Sequence, residues 1–290
     1  MNQKIFTPRG KMLLSMLIFG TVGLFVRGIP LPSSLIACVR GVIGAVCIYL
    51  YMKARGKRID MSAVRKNGLT LVLSGAALGF NWAFLFEAYR YSVATATLCY
   101  YLAPTIVMLI SPLVLREKLT AKKLCCCLAA LGGMVLVSGV MTENAPPLAG
   151  ILWGLAAAVL YAAVMLLNKR ITDVRSEDRT VMQLAVSAAV MLCYAVLTET
   201  QLAFELTATS GMLLVTVGVL HTGIAYLCYF GALKDLKAQS AAILSYLDPA
   251  LALLLSWLVL GEQLGVHGWL GAALILGGAL VSETGGKNEE

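Results

Sequence analysis

What this chain can fold into is constrained most by ten apolar stretches of about 20 residues each, the length a helix needs to cross about 30 Å of hydrocarbon. They fall at 12–29, 33–52, 68–89, 93–115, 121–141, 148–168, 180–198, 209–230, 237–260 and 267–283. Turn-forming residues mark the joints: Pro30 and Pro32 part the first two blocks, and Pro146-Pro147 precedes the sixth. Hydrophobic residues make up 59% of the 290 positions and charged residues 13%, too little polar surface to keep a soluble chain of this size dispersed. The sequence therefore reads as an all-α integral membrane protein of ten transmembrane helices. Lys4, Arg9 and Lys11 ahead of the first block resemble a signal peptide, but Arg27-Gly28-Ile29-Pro30 follows in place of a small-x-small cleavage pattern. A retained first helix is expected.

Positive charge tests the helix count independently. With the N-terminus in the cytoplasm and alternating sides thereafter, twenty of the 23 basic residues fall in cytoplasmic segments. Arg27 and Arg90 remain outside, and Arg40 lies within the second block. One missed helix would invert every later loop and scramble this asymmetry. Both termini are thus expected in the cytoplasm, and the protein in the plasma membrane, which in a bacterium is the inner membrane. The net charge of +8 does not point to nucleic acid, because the basic residues sit in short gaps without an aromatic-interleaved patch or a recognition helix. They read as topology signals and contacts for anionic lipid. The expected partners are a small-molecule substrate and membrane lipid; a homo-oligomer is left open.

Eight cysteines fit no metal or redox spacing. Cys125, Cys126 and Cys127 are consecutive, so on a helix they point about 100° apart and cannot converge on one ion. Packing residues kept reduced, with no metal and no cofactor, are expected.

Two stretches of the chain match each other. Tyr101-Leu102-Ala103-Pro104, Leu113-Val114-Leu115-Arg116-Glu117-Lys118-Leu119 and Leu131-Gly132-Gly133 answer to Tyr246-Leu247-Asp248-Pro249, Leu258-Val259-Leu260-Gly261-Glu262-Gln263-Leu264 and Leu276-Gly277-Gly278. Pro104 and Pro249, Glu117 and Glu262, and Gly132 and Gly277 all differ by 145. That shift moves the fourth and fifth blocks onto the ninth and tenth. Five helices per half, an odd number, gives the halves opposite orientation. Accordingly Arg116, Lys118, Lys122 and Lys123 become Gly261, Gln263, His267 and Gly268 where the copy faces outward. The expectation is two inverted five-helix repeats, 1–143 and 144–290. Such halves give two conformations of similar energy, open to opposite sides, with a site between them near the midplane.

The doubled pattern of a hairpin, a helix with a central proline, a Leu-rich run with Glu, and a Gly-Gly helix resembles the EamA-domain family of the drug/metabolite transporter superfamily. Phe19-Gly20, Trp153-Gly154, Arg40 and Ala88-Tyr89 add to the likeness. The resemblance covers almost the whole chain. It implies a transport fold with a central cavity, in a family whose members export amino acids and related metabolites. It does not choose the substrate.

Several residues are candidates for the substrate pathway. Asp248 is the most deeply placed acid; Asp-Pro is also a helix-start signature, so a cap and a cation- or proton-binding role both stand. Pro104 and Pro249 remove backbone bonds in mid-span, which makes either a packing kink or polar backbone for a cavity. Tyr100, Tyr101 and Tyr246 flank those breaks, and Trp153, Tyr161 and Tyr226 could add ring faces or simply pack. Asn81, beside Trp82, needs a neighbouring helix or a substrate as partner. His221 is either a satisfied core histidine or a group that titrates near neutral pH. Arg40, Glu87 and Asp248 are candidates for coupling or ion pairing; Glu87 and Arg90 are spaced as an i,i+3 pair. Glu117 and Glu262 sit at helix ends, where capping or orientation of the hairpins is expected.

No phosphate-binding loop, zinc-binding His-Glu-x-x-His helix or Gly-x-Ser-x-Gly elbow occurs. The sequence therefore reads as a secondary transporter, not an enzyme. Its expected cargo is an amino acid or related metabolite, moved outward by alternating access. Efflux of quaternary cations on aromatic faces and Asp248 is the alternative within transport. A receptor or lipid-modifying enzyme is the alternative from another class.

Overall fold

The computed structural model describes residues 7–26, 28–89, 91, 99–138, 148–199, 206–248, 251, 258 and 266–284. Among them every regular element is a helix: α1 (Pro8–Val26), α2 (Ser33–Ala54), α3 (Met61–Lys66), α4 (Gly68–Tyr89), α5 (Ala103–Leu115), α6 (Ala121–Ser138), α7 (Leu148–Arg170), α8 (Ser176–Thr198), α9 (Ala208–Asp235), α10 (Ala238–Ser245) and α11 (Val266–Thr284). Six of these, α1, α2, α4, α7, α8 and α9, are long and apolar enough to cross a membrane. Shorter apolar helices run over Ala103–Leu115 and Val266–Gly278. Helical residues occur inside every one of the ten apolar blocks. Two elements are not legible in hydropathy. One is α3, a single amphipathic turn and a half capped by Asp60, whose carboxylate accepts from the amides of Ser62 and Ala63 at 3.0 and 3.1 Å. The other is a π-helical stretch, Val217–Ile224, inside α9.

Helix packing comes in pairs that exchange under the 145-residue shift. That shift takes α1 to α7, α2 to α8, α4 to α9 and α6 to α11. The contact of α4 with α7 recurs as α9 with α1, and that of α4 with α8 as α9 with α2. The pairs α2–α8 and α6–α11 each join a helix to its own counterpart. Small residues set the close approaches, as expected where lipid supplies no hydrophobic drive between helices. A Cβ at Gly133 would lie 2.6 Å from the carbonyl oxygen of Gly271, and one at Gly278 would lie 2.9 Å from that of Cys126. Shifting Gly133 and Cys126 by 145 gives Gly278 and Gly271, so these are the same contact made twice.

The basic loops gather at one end of the bundle. Lys57 pairs with Glu177 at 2.9 Å, joining the α2–α3 connection to the first turn of α8. Asn67 Nδ2 donates to the Thr172 carbonyl at 2.9 Å. Glu117, after α5, accepts from the backbone amides of Ala238 and Gln239 at 2.8 and 3.2 Å, capping the start of α10. The expected role of Glu117 at a helix end is therefore met on a helix of the other half. Lys123 Nζ adds a bond to Gln239 Oε1 at 3.2 Å, and Gln239 Nε2 donates to Ser111 at 2.9 Å. Lys169 donates to the carbonyls of Leu233, Lys234 and Leu236 at the end of α9, where a cation complements the helix dipole. The first residues of α1 reach the same end, since Lys11 lies beside Gly231.

The interruptions in the fourth and ninth blocks fall a little earlier than their prolines. Tyr101-Leu102 forms a turn before α5, and Tyr246 forms one after α10. Leu102 N bonds to Cys99 O and Tyr246 N to Ile243 O, both at 3.1 Å and both reaching back three residues instead of four. Pro104 thus sits in the first turn of α5, where its missing N–H costs nothing. Pro249 lies outside the described residues, as do Arg90 and Glu262.

Candidate functional site

Side chains around these two interruptions converge in the middle of the bundle. Asp248 lies ten residues beyond Ala238 at the capped start of α10, about 15 Å along at 1.5 Å per residue. The Tyr101 hydroxyl donates to Asp248 Oδ2 at 3.4 Å. Tyr246, in the equivalent position of the other half, exchanges a 3.0 Å bond with Thr105 Oγ1. The two tyrosine rings lie 6.5 Å apart. Asp248 thus has a partner across the chain's two halves, which its position before a proline did not suggest.

A run of aromatic rings continues from this point. Tyr100 stacks on Tyr161 with centroids 5.4 Å apart, and Tyr161 on Tyr229 at 6.4 Å with their hydroxyls 3.0 Å apart. Tyr229 meets Tyr226 at 6.3 Å, and Phe19 of α1 packs edge-on against Tyr226 at 5.0 Å. Tyr226 meets Trp82 at 6.0 Å, and the Arg40 guanidinium lies 4.1 Å above the Trp82 ring. Seven helices or their flanks contribute: α1, α2, α4, α5, α7, α9 and α10. Tyr229 and Phe19 belong to the cluster without having been singled out as lining residues; the signal for Tyr229 is its i+3 spacing from Tyr226, which puts both on one face of α9.

Other candidates sit apart. Asn81 Nδ2 donates to the Ala157 carbonyl at 2.7 Å, so its partner is a neighbouring helix. Trp153 packs on Phe84 at 4.9 Å, on the side of α4 where Phe80 is exposed, away from the ring cluster. Glu87 accepts a hydrogen bond from the Tyr194 hydroxyl. His221 shares a 2.9 Å bond with Thr21 through Nε2, and its ring faces Phe25 at 4.8 Å within the π-helical stretch. Among the described residues, no three His, Cys, Asp or Glu side chains are grouped to hold a metal ion.

The model of the EamA-like transporter family matches the chain twice, over residues 11–139 and 148–284. This chain belongs to the EamA-like transporter family. An uncharacterized transporter of Bacillus subtilis (strain 168), YxxF, is 30% identical to this family member over 272 residues, covering 92% of this chain and 86% of the relative. An uncharacterized transporter of Archaeoglobus fulgidus is 27% identical over 275 residues, covering 93% of each chain. A solved crystal structure, 24% identical, matches the fold with a TM-score of 0.84 over 94% of this chain and 96% of that one. Family and relatives make this EamA protein a membrane transporter, with a small-molecule substrate and a lipid environment.

Proposed function

We propose that the protein is a secondary carrier that exports amino acids or related small metabolites across the plasma membrane by alternating access. Its frame is ten spanning helices as two inverted repeats, 1–143 and 144–290, with the basic-loop end and both termini in the cytoplasm. The observation that carries this reading is the convergence of both halves on one aromatic and charged cluster, beside two equivalent helix interruptions. Packing pairs that exchange under the repeat shift, and the two successive family matches, support the inverted halves. In this conformation Glu117, Lys123 and Lys169 tie the cytoplasmic helix ends together. Opening to the cytoplasm then requires those bonds to part.

Counterflow in proteoliposomes tests the function without assuming a driving force. Vesicles loaded with unlabelled amino acids and diluted into the labelled mixture should accumulate label transiently, and empty liposomes should not. A flat trace from monodisperse protein would remove amino acids as cargo. Resistance to quaternary ammonium compounds on overexpression would instead favour cation efflux.

A further inference from the structure

His221 stands at the middle of α9, a 28-residue helix from Ala208 to Asp235, and is only 1% exposed. An ionisable side chain at that depth is costly and calls for a functional explanation. It also lies in the π-helical stretch Val217–Ile224, a deformation frequent at functional sites.

Hydrogen bonding fixes the tautomer of the ring. The Thr21 hydroxyl has one proton and donates it to the Ile18 carbonyl at 2.7 Å. In the 2.9 Å bond between Thr21 and His221, Nε2–H is therefore the donor and the Thr21 oxygen the acceptor. A neutral ring then carries a bare lone pair on Nδ1. That atom is shut off from solvent and has no hydrogen-bond partner among the described residues.

The π-helical geometry supplies an acceptor for a proton placed there. Thr222 Oγ1 donates to the Val217 carbonyl, five residues back, at 3.0 Å. His221 stands in the same relation to Thr216, whose carbonyl lies beside its ring. With Nδ1 protonated, both ring nitrogens are donors, one toward Thr21 and the other toward Thr216. Burial and one like charge oppose this. A Cβ at Gly44 of α2 would meet Thr222 Cγ2 at 2.9 Å, and Arg40 and the Cys47 thiol lie about a turn to either side of Gly44. On α9 itself Tyr226 follows five residues on, and α1 carries no titratable group from Met12 to Val26. Of these neighbours Arg40 alone is charged.

Thr21 and Arg40 belong to the first proposed half, His221 and Thr216 to the second. Rocking one half against the other changes the Nε2 acceptor and the like-charged neighbour together, and with them the hold on a proton.

We propose that Nδ1 of His221 is the binding site of a coupling proton. While the cytoplasmic helix ends are tied together, the lone pair takes a proton from the outer side. When that end opens, the N–H bond breaks, the proton leaves to the cytoplasm and the ring is neutral again. A proton thus moves inward in exchange for cargo moved outward. This rests on the transporter reading above, and adds the ion that drives it and the atom that carries that ion.

The chain has two histidines, so NMR of isotope-labelled histidine in a His267→Gln background reads His221 alone. The ring should be the Nε2–H tautomer at alkaline pH and become doubly protonated on acidification while the protein stays folded. Thr21→Val should abolish the tautomer preference. In parallel, proteoliposomes with an acidic interior should accumulate the labelled amino-acid mixture, up to about tenfold per unit of pH for one proton per molecule. His221→Gln, whose amide still donates to Thr21 but does not titrate, should lose that accumulation. An Nδ1–H tautomer, a ring neutral until the protein unfolds, or a gradient response kept by His221→Gln would overturn the proposal. So would wild-type counterflow indifferent to the pH gradient, which leaves the carrier reading standing. Flat counterflow with a ring that titrates from the Nε2–H form would do the opposite. Should His221→Gln lose counterflow as well, the NMR titration decides.

Discussion

Tyr101 and Tyr246 occupy equivalent positions in the two halves, lie 6.5 Å apart, and each reaches across to the other half's interrupted helix. The two links are unequal. Tyr246 is fully buried and bonded at 3.0 Å to Thr105, while Tyr101 is half-buried and bonded at 3.4 Å to Asp248. Tyr246→Phe is therefore expected to cost about 0.5–1.5 kcal/mol and Tyr101→Phe less. Thermal unfolding in detergent checks the order; an equal or inverted ranking would show that the buried hydroxyl is not what ties the interruptions together.

Glu117 caps a helix it does not belong to. Removing the carboxylate in Glu117→Ala frees the amides of Ala238 and Gln239 and should destabilise by about 0.5–2 kcal/mol. Glu117→Gln keeps one acceptor oxygen and should recover part of that loss. If opening at this end limits turnover, Glu117→Ala also raises the rate of counterflow per folded molecule; a rate unchanged by the variant would separate the cap from gating.

The paired glycine contacts make a prediction about symmetry. Gly133→Leu and Gly278→Leu each force a side chain against opposing backbone at under 3.0 Å, so each should destabilise by about 1–3 kcal/mol or more through overpacking. Equal losses are expected from the two variants, because they disturb one contact made twice. Gly132→Ala, where a Cβ meets nothing within 4 Å, should have little effect. A loss at Gly132 as large as at Gly133 would contradict the packing.

Cysteine accessibility reads the orientation. In a background with the eight native cysteines replaced, Lys57→Cys and Lys118→Cys should react with a membrane-impermeant maleimide only after cells are opened. Thr207→Cys, exposed at the other end of the bundle, should react in intact cells. The reverse pattern would invert the topology while leaving the fold intact.

Sequence alone determined much of this protein, because lipid and membrane insertion act on properties that a chain carries locally. Block length fixed where helices form, and the basic residues fixed which connections share an end, since both follow from transfer energies that need no knowledge of neighbours. The 145-residue match pairs Gly133 with Gly278, and Tyr101 with Tyr246, whatever their surroundings. What those surroundings contain was decided by tertiary structure. Asn81 met the Ala157 carbonyl, Glu117 met the amides of α10, and Trp153 packed outside the ring cluster that Tyr229 entered. None of this could be read locally, because in an apolar span almost every face is apolar and periodicity no longer marks the side that faces inward. Trp82 and Tyr226, whose rings lie 6.0 Å apart, are more than one hundred positions apart in the chain, and helix packing alone brings them together.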